Sequence, residues 1–491
     1  MRDWLIHIKR GEYASLQTQI REALVSAILD RQLDQAEPIP STRKMAKSLG
    51  VSRNTVVLAY QGLLDDGYLL AKQRSGYFVA DKALEDHVAR PRVSKGPVKP
   101  KPLGLDWERL VKKHPAHQIN VEKPRNWQDY QYPFIYGQVD HTLFPLAEWR
   151  DCTRQALGKK WLGDWTNDAT AADDPMLVEQ IRRRILPRRG IMASDDEILV
   201  TLGAQNAIYI ITSLLVSGET HVAMEEPGYP DMRNIFQLRT PHVTLAPVDH
   251  AGLVAGPALD GADIVYATPS HQFPTTVTMP LERRMVLLKK ASEKNFIIIE
   301  DDYEFETNYV NEPCPALKSL DDEGRVIYVG SLSKTLFPGL RLGFMVAPKA
   351  FIAEARALRR LMVRHAPSNN QRTAALFLSL GHHDALIRKL HKAYRNRWEI
   401  MGESLSQHLP SSTRIPSFGG TSFWVKGPAK LDSDKLGQAA QQQGILINPG
   451  RICFGAENGP RNYFRLAFSS IDEKKIEPGI RLLAELIKQS T

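Results

Sequence analysis

Apolar residues return at helical spacing near the start of the chain. Leu16, Ile20, Leu24 and Ile28 fall on one face of a helix expected over 16–29. The pattern breaks at Pro38 and Pro40 and resumes as a short helix at about 42–48. The turn Leu49-Gly50-Val51 follows. Ser52 then stands where the next helix needs a cap, and Val56, Tyr60, Leu63 and Leu64 form the apolar face of that helix. Tyr68–Ala71, a polar turn at Gln73–Gly76 and Tyr77–Ala80 predict two short strands in a hairpin.

From about residue 196 the pattern changes. Apolar strand-like runs lie at Ile198–Thr201, His221–Met224, Asp263–Ala267, Phe296–Glu300, Val326–Val329 and Phe344–Ala347. Helical stretches separate several of them. One is Leu281–Lys294, with Leu281, Met285 and Leu288 on one face. Alternation of this kind predicts an α/β domain with a largely parallel sheet, whose sites gather beyond the carboxyl ends of the strands. Between the two patterns, 81–126 reads as a connection. Its stretch 90–102 is rich in Pro and Lys, and repeated prolines favour an extended, semi-rigid spacer. The domains expected are therefore 1–80, a linker 81–126, and a body 127–491.

Charge separates these parts further. Net charge is +9. Residues 1–80 hold 11 Lys+Arg and 8 Asp+Glu, and 81–126 hold 11 and 6. The body of 365 residues is nearly neutral, with 42 and 41. A small basic unit on a neutral body is an electrostatic footprint for a polyanion; the other reading, which charge alone favours, is a solubilising bias in a tail and linker. The three cysteines, Cys152, Cys314 and Cys453, are too far apart for a Cys-x-x-Cys site, and they exclude a disulfide scaffold. No metal site is expected. No apolar run approaches the ~18 residues of a membrane span, and the first residues lack a secretory signal's apolar core. A cytoplasmic protein without membrane contact is expected.

Helix, turn, helix and hairpin make a winged helix-turn-helix, and its chemistry suits double-stranded DNA. Ser52, Arg53, Asn54 and Thr55 cluster at the start of the helix that enters the major groove in such motifs. Arg and Asn read base edges, whereas Ser and Thr hydroxyls suit phosphates. Ser41 and Arg43 open the preceding helix, a second phosphate position. Arg74 lies at the hairpin tip. The string from Pro40 to Tyr60 resembles the DNA-binding domain of GntR-type bacterial regulators, over about 15–80. It departs from that family between 33 and 40, where the usual glycine is absent.

In the body, four expected strand ends carry groups that fit pyridoxal 5′-phosphate (PLP). Residues 203–207 open a helix whose N–H groups can cradle a phosphate. Residues 225–229 end in a tyrosine. Residues 300–303 offer carboxylates and a phenol, and Asp301 and Tyr303 point to one side of an extended chain. Residues 331–343 set Lys334 between hydroxyls, with Arg341 seven residues on. A lysine amine holds the aldehyde, a carboxylate pairs with the ring nitrogen, and hydroxyls with an arginine hold the phosphate.

These tracts resemble PLP enzymes of the aminotransferase fold, fold type I, over roughly 130–491. The resemblance implies that Lys334 forms the internal aldimine, Asp301 pairs with the ring nitrogen, Tyr303 bonds the 3′-oxygen, and Tyr229 stacks on the ring. It gives the phosphate to Gly203, Ala204, Gln205, Ser331, Ser333 and Arg341. It gives an effector's carboxylate to Arg465 and the segment above it to Gly137. His271 or Gln272 would replace the asparagine usual near the 3′-oxygen. In 268–276 the usual glycine of that loop is replaced by Thr276, and 171–178 lacks the glycine of the usual Asp-Pro-x-Gly segment.

The two halves together resemble the MocR subfamily of GntR-type transcription regulators. That resemblance implies a homodimer on operator DNA that senses a small amino compound by forming an external aldimine on PLP. Taurine- or ectoine-type catabolites are the candidates. An aminotransferase-like fold used for sensing rather than turnover is expected; the alternative is an active aminotransferase with an appended DNA-binding domain.

Overall fold

The computed structural model describes residues 8–9, 14–73, 75–80, 105–135, 137, 139–168, 172–309, 314–410, 412 and 419–490. They divide into two compact units, within Met1–Glu108 and within Arg109–Thr491.

In the first unit, each helix begins at a serine whose Oγ accepts a backbone N–H. Ser15 caps α1 (Leu16–Leu29), Ser41 caps α2 (Thr42–Leu49) and Ser52 caps α3 (Arg53–Asp65). Such a cap satisfies one of the donors that a helix start leaves open, and contributes about 1 kcal/mol. Gly50 ends α2 in the left-handed region at φ +64°. Arg31, just past the end of α1, takes the left-handed region at φ +53°. Ile20, Leu24 and Ile28 of α1 meet Met45 of α2 and Val56, Tyr60 and Leu63 of α3 in one core. The hairpin β1 (Leu69–Lys72) and β2 (Gly76–Val79) is antiparallel, with Leu69 opposite Val79. It is tied to the loop before α2 by a bridge between Ile39 and Tyr77, and Tyr60 donates to the Pro40 carbonyl of that loop at 2.8 Å.

The second unit is built on an eight-stranded sheet. After a short strand β3 (Tyr132–Pro133), its members are β4 (Ile198–Thr201), β5 (Val222–Glu226), β6 (Val243–Asp249), β7 (Gly252–Leu253), β8 (Ile264–Ala267), β9 (Ile297–Asp302), β10 (Val326–Ser331) and β11 (Gly343–Val346). Their order is β4-β11-β10-β9-β8-β5-β6-β7. The pairs from β10 through β9, β8 and β5 to β6 are parallel. β11 runs antiparallel to both its neighbours, so the sheet is mixed rather than uniformly parallel there. The strand β6 escapes the pattern reading because most of its residues are only half-buried.

Helix α4 (Ala204–Leu215) covers one face of the sheet, burying Ile208 and Ile211 against Met224, Tyr266 and Val329. Helix α5 (Leu281–Lys294) covers the other with a face that differs from the expected one. Leu281 and Met285 are 43% and 50% exposed, while Arg284, Leu287 and Ala291 are buried. Arg284 can go inside because its guanidinium donates to the carbonyls of Met279, Pro315 and Pro269 and lies 3.7 Å from Glu300. A buried charge that is fully hydrogen-bonded reads as polar in the sequence yet belongs to the core.

A smaller antiparallel sheet, β12 (Ser422–Lys426), β15 (Tyr463–Ala467) and β14 (Asn448–Pro449), follows in that order, and β13 (Ile445–Leu446) pairs with β3. The Asp173-Asp174 pair serves the fold. Asp173 takes Arg356 and Arg359, and Asp174 caps the helix Pro175–Gln180 and pairs with Arg372. No helix among the described residues is long and apolar enough to cross a membrane.

Candidate cofactor site and nucleic-acid interface

The carboxyl ends of β4, β5, β9 and β10 surround a cavity of about 170 Å³. Gly137, Gly203, Ala204, Gln205, Tyr229, Asp301, Tyr303, Ser331, Ser333, Lys334 and Arg341 all line it. Except for Gly137, which follows β3 outside this sheet, they lie at or after the ends of β4, β5, β9 and β10, strands that point the same way.

Asp301 and Tyr303 reach the cavity from the end of β9. Asp301 is buried, and Tyr266 donates to its Oδ2 at 2.7 Å. Its Oδ1 is buried with no hydrogen-bond partner. Desolvation raises this carboxyl to about 7; the Tyr266 hydroxyl opposes the shift. Lys334 lies 5.7 Å from the Tyr303 ring centre. Desolvation lowers its amine to about 8; Glu304 opposes this and Arg465 adds to it.

Another wall of the cavity is formed by the start of α4. Gly203 sits at φ +86°, and a Cβ there would lie 3.3 Å from the Arg341 guanidinium, so only glycine lets backbone and arginine approach this closely. No side chain caps α4, which leaves its first N–H groups for an anion. Arg341 is fixed by donating to the Leu202 carbonyl at 2.8 Å. The Ser331 Oγ accepts from the Ser333 N–H at 3.2 Å, and the Ser333 Oγ is buried without a partner. Gln205 offers its backbone here, because its side chain is turned to Asp231.

These residues fit PLP. The orphaned Asp301 Oδ1 matches a ring N–H, the Ser333 hydroxyl and uncapped helix match a phosphate, and Lys334 matches the aldehyde. A side chain at Gly137 (φ +81°) would come within 3.4 Å of the Lys334 Nζ, so glycine keeps the amine accessible.

His271 does not line the cavity. Its imidazole is buried against Gly420, and burial lowers its pKa; only its backbone carbonyl serves the site, accepting from the Tyr303 hydroxyl at 2.8 Å. The Gln272 amide is also turned away, donating to Glu225 and the Pro227 carbonyl. Thr276, in the glycine's place, keeps the left-handed conformation at φ +62°. Three participants escape sequence reading. Tyr266 orients Asp301, and Asp231 accepts from Tyr229 and Gln205. Phe273 lies 4.9 Å from Tyr229 between ring centres and carries the Arg465 guanidinium over its ring at 4.5 Å. Each is an ordinary residue in sequence, and each has a partner far along the chain.

Arg465 is buried on β15, with Nε donating to the Ser422 Oγ at 2.6 Å. It lines a second cavity, of about 240 Å³, which shares Phe273 with the first.

On the first unit, Ser41, Arg43, Ser52, Arg53 and Asn54 are exposed at the starts of α2 and α3. Thr55 is half-buried, with its hydroxyl 2.8 Å from that of Ser52. Arg74 lies outside the described residues.

Residues 16–79 match the model of the bacterial regulatory proteins of the gntR family, and 170–483 match that of aminotransferase class I and II. The chain is 43% identical to the HTH-type transcriptional regulator TauR of Rhodobacter capsulatus, over 97% of this chain and 98% of that one. It is 29% identical to the probable rhizopine catabolism regulatory protein MocR of Rhizobium meliloti, over 98% and 95%.

The chain belongs to the MocR subfamily of GntR-type transcription regulators.

Its body also resembles a solved kynurenine aminotransferase of Pyrococcus horikoshii in complex with PMP. The TM-score is 0.71 and the identity 29%, over 78% of this chain and 98% of that one. This MocR-type regulator therefore couples a GntR reader to a fold type I body.

Proposed function

We propose that this regulator binds PLP through Lys334 and senses a small amino compound there, changing how its reader engages operator DNA. The unpartnered Oδ1 of Asp301, opposite Lys334 in the same cavity, carries the reading. Bound PLP supplies an electrophilic aldehyde that captures amines. The chain's own residues then have separable tasks. Lys334, lowered to about 8 by desolvation, has an appreciable neutral fraction near pH 7 and would hold the aldehyde. Asp301 accepts the ring N–H and holds it protonated. Tyr303 serves the 3′-oxygen and Tyr229 the ring face. Gly203, Ala204, Gln205, Ser331, Ser333 and Arg341 hold the phosphate. Arg465 takes the effector's anionic group, under the Gly137 segment.

Ser41, Arg43, Ser52, Arg53, Asn54 and Thr55 contact the operator. The working form is a cytoplasmic homodimer with one reader per half-site. Taurine- and ectoine-type catabolites are the first effectors to try. The test titrates the visible band of PLP-loaded protein with these compounds and repeats operator binding at each concentration. A spectral shift and a change in operator binding with a common midpoint are expected. A shift with unchanged operator binding would sink the sensing role.

A further inference from the structure

The outer face of α3 carries more than its polar first turn. Val56, Ala59, Tyr60 and Leu63 are buried in the reader's core, whereas Arg53, Asn54, Val57, Leu58 and Gln61 are exposed on the opposite face. At about 100° per residue, Val57 falls between Arg53 and Asn54 around the helix, one turn further along. Leu58 falls at the edge of the same face. Val57 is 38% exposed. A branched apolar side chain therefore stands in the middle of a surface that begins with an arginine and an amide.

Packing within the reader does not call for it. The apolar residues gathered between the three helices and the hairpin do not include Val57. Local stability does not call for it either, because a β-branched residue is a poorer helix former than alanine. The next turn of this face is occupied differently. The Gln61 amide donates to the Asp65 carboxylate at 2.9 Å, which draws it along the helix.

In a helix laid into the major groove the first two turns reach base edges, and each base pair presents a distinct set of groups there. Arginine and asparagine use the donors and acceptors. Valine has neither, and the group that suits it is the C5-methyl of thymine. Over a polar base edge it would take a donor or acceptor out of water without replacing the hydrogen bond, which is unfavourable.

We propose that Val57 is a specificity-determining residue that reads a thymine methyl in each operator half-site. This rests on the placing of Arg53 and Asn54 against the operator and adds one base to that reading. Val57 lies four residues beyond Arg53, about 6 Å along the helix axis or roughly two base-pair steps. The thymine is therefore within about two base pairs of the base that Arg53 reads.

The experiment uses full-length protein with PLP present. The half-site is read from duplexes enriched out of a random-sequence pool by repeated rounds of binding. In the best-bound duplex each thymine of one half-site is replaced in turn by deoxyuridine, which removes the C5-methyl and leaves the pairing intact. One replacement should weaken wild-type binding about threefold to fourfold, the effect of burying one methyl. It should lie within about two base pairs of the position whose preference disappears in Arg53→Ala. In Val57→Ala, whose side chain is withdrawn from the base, the same replacement should cost less than about 1.5-fold. This variant puts a better helix former at an exposed position, so the reader stays folded. Equal losses in wild type and Val57→Ala at every thymine, or a half-site with no thymine on either strand, would overturn the assignment while leaving the DNA reader intact. Enrichment of no sequence at all would overturn both.

Discussion

Ser52, Arg53 and Asn54 stand at consecutive positions, exposed at the start of one helix. Asp301, Ser331 and Lys334 come from the ends of two neighbouring strands and meet residues as distant as Gly137 and Arg341 inside a cavity. The reader thus puts its chemistry on a surface that a small apolar core holds from behind, and its functional groups keep ordinary solvation. The body takes its groups out of water. That is why the Asp301 carboxyl rises to about 7 and the Lys334 amine falls to about 8. Substitutions in the reader should cost binding to DNA with little effect elsewhere. Substitutions in the body should change the cofactor chemistry itself.

The contrast can be broken or sharpened in order of expected effect. Lys334→Ala should abolish covalent attachment of PLP altogether, while operator binding by the reader survives; gel shift beside absorption spectra checks both. Asp301→Ala removes one partner of a buried charge pair, a loss of about 3 kcal/mol. It should weaken PLP affinity on the order of a hundredfold, measured by equilibrium titration. Arg53→Ala should weaken specific operator binding by about 1–3 kcal/mol, roughly ten- to hundredfold, with the PLP spectrum unchanged. An Arg53→Ala protein with wild-type operator affinity would show that this exposed end does not read bases. Ser52→Ala should lower the reader's stability by about 1 kcal/mol, seen in denaturant unfolding.

The smallest effect is the pH dependence of PLP capture. The neutral amine attacks the aldehyde, and burial lowers the pKa of Lys334, so the reactive form grows as pH rises through about 8 instead of the ordinary value of 10.5. The capture rate should rise between pH 7 and 9 and level off above.

The same contrast explains what could be read from the chain. The fold of the reader was legible, because caps, apolar spacing and the hairpin are all local. In the body, most strands and the Lys334 and Asp301 tracts were legible because each combines a short apolar run with unusual polar residues at its end. The α5 face was not, since Arg284 is buried only by virtue of carbonyls that other segments bring to it. His271 was placed by analogy with a loop whose asparagine is missing here, and the fold turns its ring towards Gly420. Tyr266 acquires its role from a cross-strand contact with Asp301, and Asp231 meets Gln205 from another helix, contacts for which a single sequence carries no signal.

The most direct measurement is borohydride reduction of the PLP-loaded wild type, followed by mass mapping of its peptides. The account predicts a phosphopyridoxyl group on the peptide containing Lys334 and on no other. A peptide map with Lys334 unmodified, or with the label on a different lysine, would contradict it.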